Sequence, residues 1–286
     1  MIKKLISKPL RRIGIRLSQI QLNDIHLYHE LYDKSDIEQK RFYNVGAGLF
    51  SHPVWTNVDY FSEWYKNNQI HINYDLFECK PLPISENTAN VVYSSHTVEH
   101  ITNDAAQNLF NESYRILKSG GYIRITTPNI DLYHKALINN DSNFYEFEIQ
   151  PYSIKKNMDR VGICQPMNKV SLKQIFIYEF ASQLSTLYNN NNKVTDEEFD
   201  ELYSAYDFEE VLDILLSKCE IDIQKQNVGN HINWWNQNKL FRMLIQAGFS
   251  DIYLSGFGQS LCPVLRDTTY FDTTHPQISI YVEARK

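Results

Sequence analysis

The stretch Arg41-Phe42-Tyr43-Asn44-Val45-Gly46-Ala47-Gly48 joins a short apolar run to a pair of glycines. Residues 41–45 are predicted to form a β-strand, and the glycines let the backbone after it approach a ligand closely because neither has a Cβ. A dinucleotide-binding fingerprint would need a third glycine where Ser51 stands, so a nicotinamide cofactor is disfavoured. Because ligands of open parallel sheets lie beyond the carboxyl ends of the strands, we expect a ligand at this turn.

Further short β-type runs follow and alternate with helical or turn-rich stretches. Strands are predicted at residues 56–59, 71–74, 90–94, 122–126, 251–254 and 278–284. A helix is predicted over residues 103–117, where apolar side chains recur once per helical turn and Thr102 can cap the start. This alternation is typical of an α/β protein with a parallel sheet and crossover helices.

The region from about 130 to 230 interrupts this alternation. Thr195, followed by Glu198, has the spacing of a capping box at the start of a helix. We interpret residues 130–230 as a mainly helical, substrate-binding insertion within one domain of residues 41–286. Residues 1–40 are predicted to be an N-terminal helical segment, whose basic first half fits either a helix packed on the domain or a membrane-surface contact.

Composition narrows the class of protein. The chain has 286 residues and a formal net charge of −6, which gives no sign of a general nucleic-acid-binding surface. Its four cysteines form no CxxC pair, and no apolar run approaches the ~20 residues of a membrane span. We therefore expect a cytoplasmic protein with a small-molecule partner, whose oligomeric state the sequence leaves open.

Polar residues stand at the ends of three successive predicted strands. Asp59 ends the second strand, where a carboxylate can bind both ribose hydroxyls. Asp75, followed by Leu76, ends the third strand and can read an adenine amino group, while Ser94 ends the fourth. Each acid alone could equally cap a turn, but their succession favours an adenosyl site.

These motifs resemble those of class I S-adenosylmethionine (SAM)-dependent methyltransferases of the type 11 group, over residues 41–129 and again from His231 onward. The glycine segment resembles the family's first motif, although Ala47 stands where cysteine is common. The resemblance implies a Rossmann-like, seven-stranded, mostly parallel sheet with helices on both faces and an antiparallel last strand. It also implies that SAM is bound by Asn44, Gly46, Ala47, Gly48, Asp59, Tyr60, Asp75, Leu76 and Ser94.

The segment His96-Thr97-Val98-Glu99-His100 follows the fourth predicted strand directly. If it turns helically, His96, Glu99 and His100 share one face, and two imidazoles with a carboxylate are competent metal ligands. The same spacing occurs in zinc peptidases, but there it lies inside a long helix.

Some methyltransferases resemble this chain more closely at that segment. The small-RNA 3′-terminal 2′-O-methyltransferases and the O-methyltransferases of ubiquinone synthesis hold a divalent cation with an acid-x-x-Glu-His motif, in which His96 here replaces the first acid. The RNA enzymes add a later histidine, which His231 resembles. The resemblance implies a metal quartet of His96, Glu99, His100 and His231, with Mn²⁺, Fe²⁺, Zn²⁺ or Mg²⁺ as the cation.

Three catalytic roles stay open for His96, Glu99 and His100. They can hold a cation that lowers the pKa of an acceptor hydroxyl, His96 or His100 can act as a general base, or the histidines can simply shape the loop. A polar loop between the last two predicted strands, with Asp272, Thr273 and His275, can line a substrate pocket.

Arg266, on the same loop, could bind a phosphate or carboxylate, or form a surface salt bridge.

The predicted function is O-methylation of a small metabolite, such as a sugar or a phosphorylated intermediate, with possible metal assistance. The chain resembles methyltransferases encoded with bacterial surface-polysaccharide genes, which implies a role in polysaccharide biosynthesis. The alternatives are an RNA 3′-end 2′-O-methyltransferase, which the acidic balance disfavours, and a non-catalytic SAM-binding module.

Overall fold

A computed structural model gives the structure of residues 24–61, 69–149 and 155–286. The basic stretch 1–20, for which two interpretations were open, lies outside the described residues. Two short helices, α1 (Asp24–Leu31) and α2 (Lys34–Glu38), precede the sheet.

Seven strands form a single sheet in the order β3-β2-β1-β4-β5-β7-β6. Strands β1 to β5 pair in parallel, and β7 runs antiparallel between β5 and β6. This arrangement confirms the predicted Rossmann-like, mostly parallel sheet. The strands are β1 (Phe42–Val45), β2 (Thr56–Asp59), β3 (Ile72–Asn73), β4 (Ala89–Ser95), β5 (Leu117–Pro128), β6 (Asp251–Ser255) and β7 (Ser279–Arg285).

Helices cover both faces of the sheet, as predicted. On one face α3 (Asn103–Ile116) packs beside α11 (Gln237–Ala247), and their apolar sides cover Val92 and Ile123. Successive side chains of a strand point to opposite faces, so Val91 and Tyr93 instead contact the cluster beneath α1 and α2.

The ends of α3 and α11 follow from local sequence. Thr102 Oγ1 accepts a hydrogen bond from the Ala105 amide at 3.3 Å, which confirms the predicted N-cap of α3. Gly248 ends α11 with a φ of 108°, a conformation that side chains other than glycine adopt at a cost.

Residues 130–230 are mainly helical where they are described. Their helices are α4 (Ile130–Ile138), α5 (Ser142–Ile149), α6 (Lys155–Arg160), α7 (Leu172–Phe180), α8 (Asp196–Ala205), α9 (Phe208–Leu216) and α10 (Ile221–Gln226). Helices α4 to α9 enclose an apolar cluster around Tyr133, Phe176 and Leu212. Among the described residues, no helix combines the length and the apolar character needed to cross a bilayer.

Candidate active site

The carboxyl ends of the parallel strands place the site. The turn after β1 contains Gly46 with a φ of 71° and Gly48 with a φ of 52°. A Cβ on Gly46 would lie 2.1 Å from Thr97 Oγ1, so this glycine is required by both backbone conformation and contact. The turn and the segment after β4 are therefore in direct contact.

A cavity of about 270 Å³ lies beside this turn. Six of the residues predicted to contact the cofactor line it: Gly46, Gly48, Asp59, Tyr60, Asp75 and Leu76. Further lining residues that the sequence analysis did not identify are Phe77, Thr97, Gln224, Lys225, Val228 and Gly229.

The two acids of this cavity also organise the backbone. Asp59 accepts hydrogen bonds from the Gly48 and Tyr60 amides, both at 2.7 Å. Burial raises the pKa of Asp59, and these two hydrogen bonds oppose the rise. Asp75 accepts a hydrogen bond from the Phe77 amide at 2.9 Å and so caps a 3-10 turn, which was the alternative interpretation, while it also lines the cavity.

Three predicted cofactor residues lie elsewhere. Asn44 and Ala47 line a second, larger cavity. Ser94 is buried, its hydroxyl has no hydrogen-bond partner among the described residues, and it lines neither cavity. Its neighbour Ser95, whose side chain points to the other face of β4, lines the larger cavity instead.

The larger cavity, of about 820 Å³, adjoins the smaller one. Both are lined by Gly46, Gly48, His96, His100 and Gly229, so these five residues form the boundary between them. The helical region contributes Asn157, Arg160, Val161, Tyr178, Glu179 and Ser182 to the larger cavity, and the loop before β7 contributes Thr269, Tyr270, Thr273, Thr274 and His275.

Glu99, His100 and His231 form a cluster on the wall of this cavity. One ligand atom from each lies within 4.8 Å of the others. Glu99 is 1% exposed, and its Oε2 accepts a hydrogen bond from Thr127 Oγ1 at 3.0 Å. The rings of His100 and His231 have centroids 4.8 Å apart.

The cluster fits a divalent cation. Nδ1 of His100 lies 2.8 Å from the Asn230 carbonyl, and Nδ1 of His231 lies 2.6 Å from the Glu179 carbonyl. Because carbonyls only accept, each Nδ1 carries the proton and each Nε2 keeps a lone pair, as metal-binding histidines do. Glu99 Oε1 is buried, lies 3.1 Å from His96 Nδ1 and 3.9 Å from His100 Nε2, and supplies an anionic oxygen.

His96 differs from the other two histidines. Its Nδ1 lies 3.1 Å from Glu99 Oε1, and its Nε2 lies 2.7 Å from Ser279 Oγ on β7. Both ring nitrogens therefore have partners within the protein. The four residues of the predicted quartet lie close together. Only Glu99, His100 and His231 form the cluster, and His96 lies beside Glu99 outside it.

Local backbone explains the arrangement. His96 has a φ of 50°, and only Val98–His100 form a helical turn, of the 3-10 type. His96 and Glu99 thus face each other without a continuous helix. The long helix of a zinc peptidase is not formed here.

Electrostatics favour anionic Glu99 and neutral His231. Burial alone would raise the pKa of Glu99, but His96, followed by His100 and His231, lowers it to about 2. Burial lowers the pKa of His231 to about 4, with the charge of His100 acting in the same direction. At neutral pH His231 therefore has its lone pair free of a proton.

The loop before β7 divides into lining and anchoring residues. Thr273 and His275 line the larger cavity as predicted. Arg266 does not: its Nε donates to the Ser260 carbonyl at 2.6 Å, so it is neither an anion ligand of this cavity nor part of a salt bridge among the described residues. The arginine that lines the cavity is Arg160. Asp272 is buried against Arg124.

Comparison with protein-family models matches part of the chain. Residues 53–125, about a quarter of the chain, match the family model described as a methyltransferase domain. No curated protein matches significantly.

The solved structures that match this chain are distant in sequence. A SAM-dependent methyltransferase from Thermotoga maritima, described as a possible histamine N-methyltransferase, is 11% identical, with 93% of this chain and 88% of that one covered and a TM-score of 0.37. SAM-dependent methyltransferases from Mesorhizobium loti (12% identity, 86% and 90% covered, TM-score 0.39) and Archaeoglobus fulgidus (13%, 99% and 94%, 0.39) are similar.

Residues 53–125 thus match a methyltransferase family model, and the strand order is the Rossmann-like one that the resemblance implied.

Proposed function

We propose that this protein transfers the methyl group of SAM to a hydroxyl oxygen of a small polar acceptor, with a divalent cation at Glu99, His100 and His231. The observation that carries the proposal is the meeting of two cavities at His96 and His100, with the three-residue cluster on the acceptor side.

The smaller cavity is the proposed binding site for SAM, which supplies the electrophilic methyl group. Asp59 and Asp75 are the acids there that can accept hydrogen bonds from ribose and adenine. The glycine turn brings backbone close to the ligand without side-chain interference. Asn44, Ala47 and Ser94 have no part in this proposal.

The larger cavity is the proposed acceptor site. Its volume of about 820 Å³ lies within the range of small-molecule pockets. Hydroxyl and amide side chains (Ser51, Asn157, Thr269, Thr273 and Thr274) lie beside the aromatic rings of Phe50 and Tyr270. This mixture suits a sugar or sugar phosphate, and the guanidinium of Arg160 on the same wall could bind a phosphate. A role in polysaccharide biosynthesis agrees with such an acceptor.

A bound cation would lower the pKa of the acceptor hydroxyl and hold its oxygen in place. Three protein ligands leave coordination positions open for that oxygen, as in catalytic metal sites. A metal-free form of the same reaction is also supported by one observation: His96, held against Glu99 through Nδ1 at 3.1 Å, lines both cavities. Its Nε2 could accept the hydroxyl proton in place of the hydrogen bond with Ser279 Oγ.

Calorimetry and turnover test the proposal. S-adenosylhomocysteine and Mn²⁺ are each titrated into the full chain, and methyl transfer is measured against a panel of sugars, sugar phosphates and nucleotide sugars, with and without chelator. Asp59→Ala should weaken S-adenosylhomocysteine, and His231→Ala should weaken Mn²⁺ and leave S-adenosylhomocysteine unchanged. Activity that persists in chelator would favour the His96 form, binding without turnover on any acceptor would favour a non-catalytic module, and no binding of S-adenosylhomocysteine would refute the proposal.

A further inference from the structure

One segment, residues 221–231, separates the proposed cofactor cavity from the proposed metal cluster. It comprises α10 and the turn that follows it. Gln224, Lys225 and Val228 line the smaller cavity, and Gly229 lines both cavities. Two residues after Gly229, His231 belongs to the metal cluster.

Gln224 connects the two sides through its side-chain amide. Its Nε2 donates to the Asn230 carbonyl at 2.7 Å and to the His100 carbonyl at 3.1 Å. The Asn230 carbonyl also accepts from His100 Nδ1 at 2.8 Å. Gln224, which is only 1% exposed, thus fixes the carbonyl of Asn230, the residue before His231. It also fixes His100, directly at the backbone carbonyl and through Asn230 at the ring.

The oxygen atom of the same side-chain amide gives evidence for a bound ligand. Oε1 of Gln224 is buried and has no hydrogen-bond partner among the described residues, although Gln224 lines the smaller cavity. A buried carbonyl oxygen without a partner is rare in folded proteins, and a donor from a bound molecule would satisfy it. Both SAM and its demethylated product carry amino groups of this kind.

We propose that Gln224 couples cofactor binding to cation binding, so that an adenosyl ligand in the smaller cavity raises the affinity of the Glu99–His100–His231 cluster for a divalent cation. The inference rests on the proposed function, because it requires both ligands. The first ligand to bind fixes the positions of Gln224, His100 and Asn230, which costs conformational entropy. The second ligand then binds to residues that are already fixed, so its binding costs less entropy. Such coupling is reciprocal.

The test measures binding rather than turnover. Mn²⁺ is titrated into the full chain, followed by calorimetry or by electron paramagnetic resonance of the free ion, with and without saturating S-adenosylhomocysteine. We expect the nucleoside to tighten Mn²⁺ by about tenfold. When S-adenosylhomocysteine is titrated with and without Mn²⁺, Mn²⁺ must raise its affinity by the same factor.

The variant Gln224→Met keeps the size of the side chain and removes both donors. We expect it to bind S-adenosylhomocysteine more weakly, because the acceptor Oε1 is lost as well, but still measurably, and to reduce the coupling factor to about one. Gln226→Met, on the exposed side of the same helix, is the matched control and should keep the wild-type factor. Thermal unfolding of both variants monitors their fold.

The outcomes separate the two proposals. Equal Mn²⁺ affinity with and without S-adenosylhomocysteine in the wild type overturns the coupling and leaves the proposed function standing. Coupling that persists in a folded Gln224→Met variant overturns the role of Gln224. If S-adenosylhomocysteine does not bind at all, the proposed function itself fails, and the coupling fails with it.

Discussion

The guanidinium of Arg124, on β5, forms two hydrogen bonds with the carboxylate of Asp272: Nε to Oδ1 at 3.0 Å and Nη2 to Oδ2 at 2.6 Å. Its remaining donors bind Glu283, Ser255 and the Gly256 carbonyl, so all five N–H groups are used. Arg124 and both acids are fully buried. The pair anchors the loop whose next residues, Thr273 to His275, line the larger cavity.

Loss of one partner of this pair should destabilise the fold strongly. Asp272→Asn leaves the buried guanidinium with only one carboxylate, and we expect the free energy of unfolding to fall by about 3 kcal/mol or more. Urea unfolding measures it. Glu209→Gln, which removes a partly exposed ion pair with Arg242 of 3.1 Å, should cost no more than about 1 kcal/mol. Equal losses in the two variants would contradict the assignment of Asp272 as the anchor.

The contact between Gly46 and Thr97 predicts a specific sensitivity. Gly46→Ala combines a positive φ with a clash against Thr97, so it should lower the unfolding free energy by more than about 1 kcal/mol and weaken S-adenosylhomocysteine. Gly120→Ala has a similar positive φ of 81° but meets only the flexible end of Arg285 at 3.3 Å. It should therefore leave ligand affinity intact. Calorimetry on both variants distinguishes local strain from loss of the site, and unchanged affinity in Gly46→Ala would argue against the ligand position.

Thr127 should tune the proposed metal cluster without touching a cation. Its hydroxyl orients Glu99 through a 3.0 Å hydrogen bond, and residues that orient metal ligands affect affinity by about ten- to a hundredfold. Thr127→Val should weaken Mn²⁺ by about tenfold in calorimetry. The adjacent Thr126→Val loses a comparable hydrogen bond, to Ser95 at 2.9 Å, and should bind Mn²⁺ as the wild type does. A wild-type Mn²⁺ affinity in Thr127→Val would count against Glu99 as a ligand.

Asp36 predicts a pH dependence of stability. Burial alone would raise its pKa, but Lys118, Asn90 and Arg41 outweigh burial and lower the pKa below 3.8. Because the folded pKa is the lower one, the stabilisation is complete above pH 3.8 and is lost as the pH falls through the folded pKa. Asp36→Asn should therefore cost about 2 kcal/mol near neutral pH, and less in acid.

Urea unfolding at about pH 6 and about pH 3 measures this difference. Glu38→Gln removes the exposed pair with Lys34, 3.5 Å long, and should change stability by about 0.5 kcal/mol or less at either pH. A cost for Asp36→Asn that is the same at both pH values would contradict the assigned ion pair.

The apolar pattern of the strands predicted the fold better than it predicted the lengths of the individual strands. The second strand has its predicted bounds, Thr56–Asp59, whereas the strand predicted at 71–74 is only Ile72–Asn73. That strand lies at the sheet edge and pairs on one side alone, with β2, so fewer residues are held in the ladder. Apolar patterning carries no information about this difference.

Local spacing predicted caps only in part. Thr195 caps α8, as its position before Glu198 indicates. The carboxylate of Glu198 instead pairs with Lys218 from the far end of α9, so the reciprocal half of the capping box is absent at this helix. A contact across twenty residues decided the conformation of that side chain.

The candidate site shows the same limit. Spacing brought His96, Glu99 and His100 together, and a resemblance added His231. The separate position of His96 depends on Ser279, which is 183 residues away in sequence, and on a positive φ that no neighbouring residue announces. The sequence analysis did not identify Gln224 because a buried glutamine in a helical region has no sequence motif. Only tertiary packing gives it two backbone partners.

Helices α4 to α9 pack around Tyr133, Phe176 and Leu212, apart from the apolar layers that cover the sheet. Because this core is separate, side chains on the surface of these helices can be exchanged while the edge of the sheet beside the smaller cavity keeps its shape. Under the proposed function, such exchanges would alter which molecule is modified and leave the methyl donor the same.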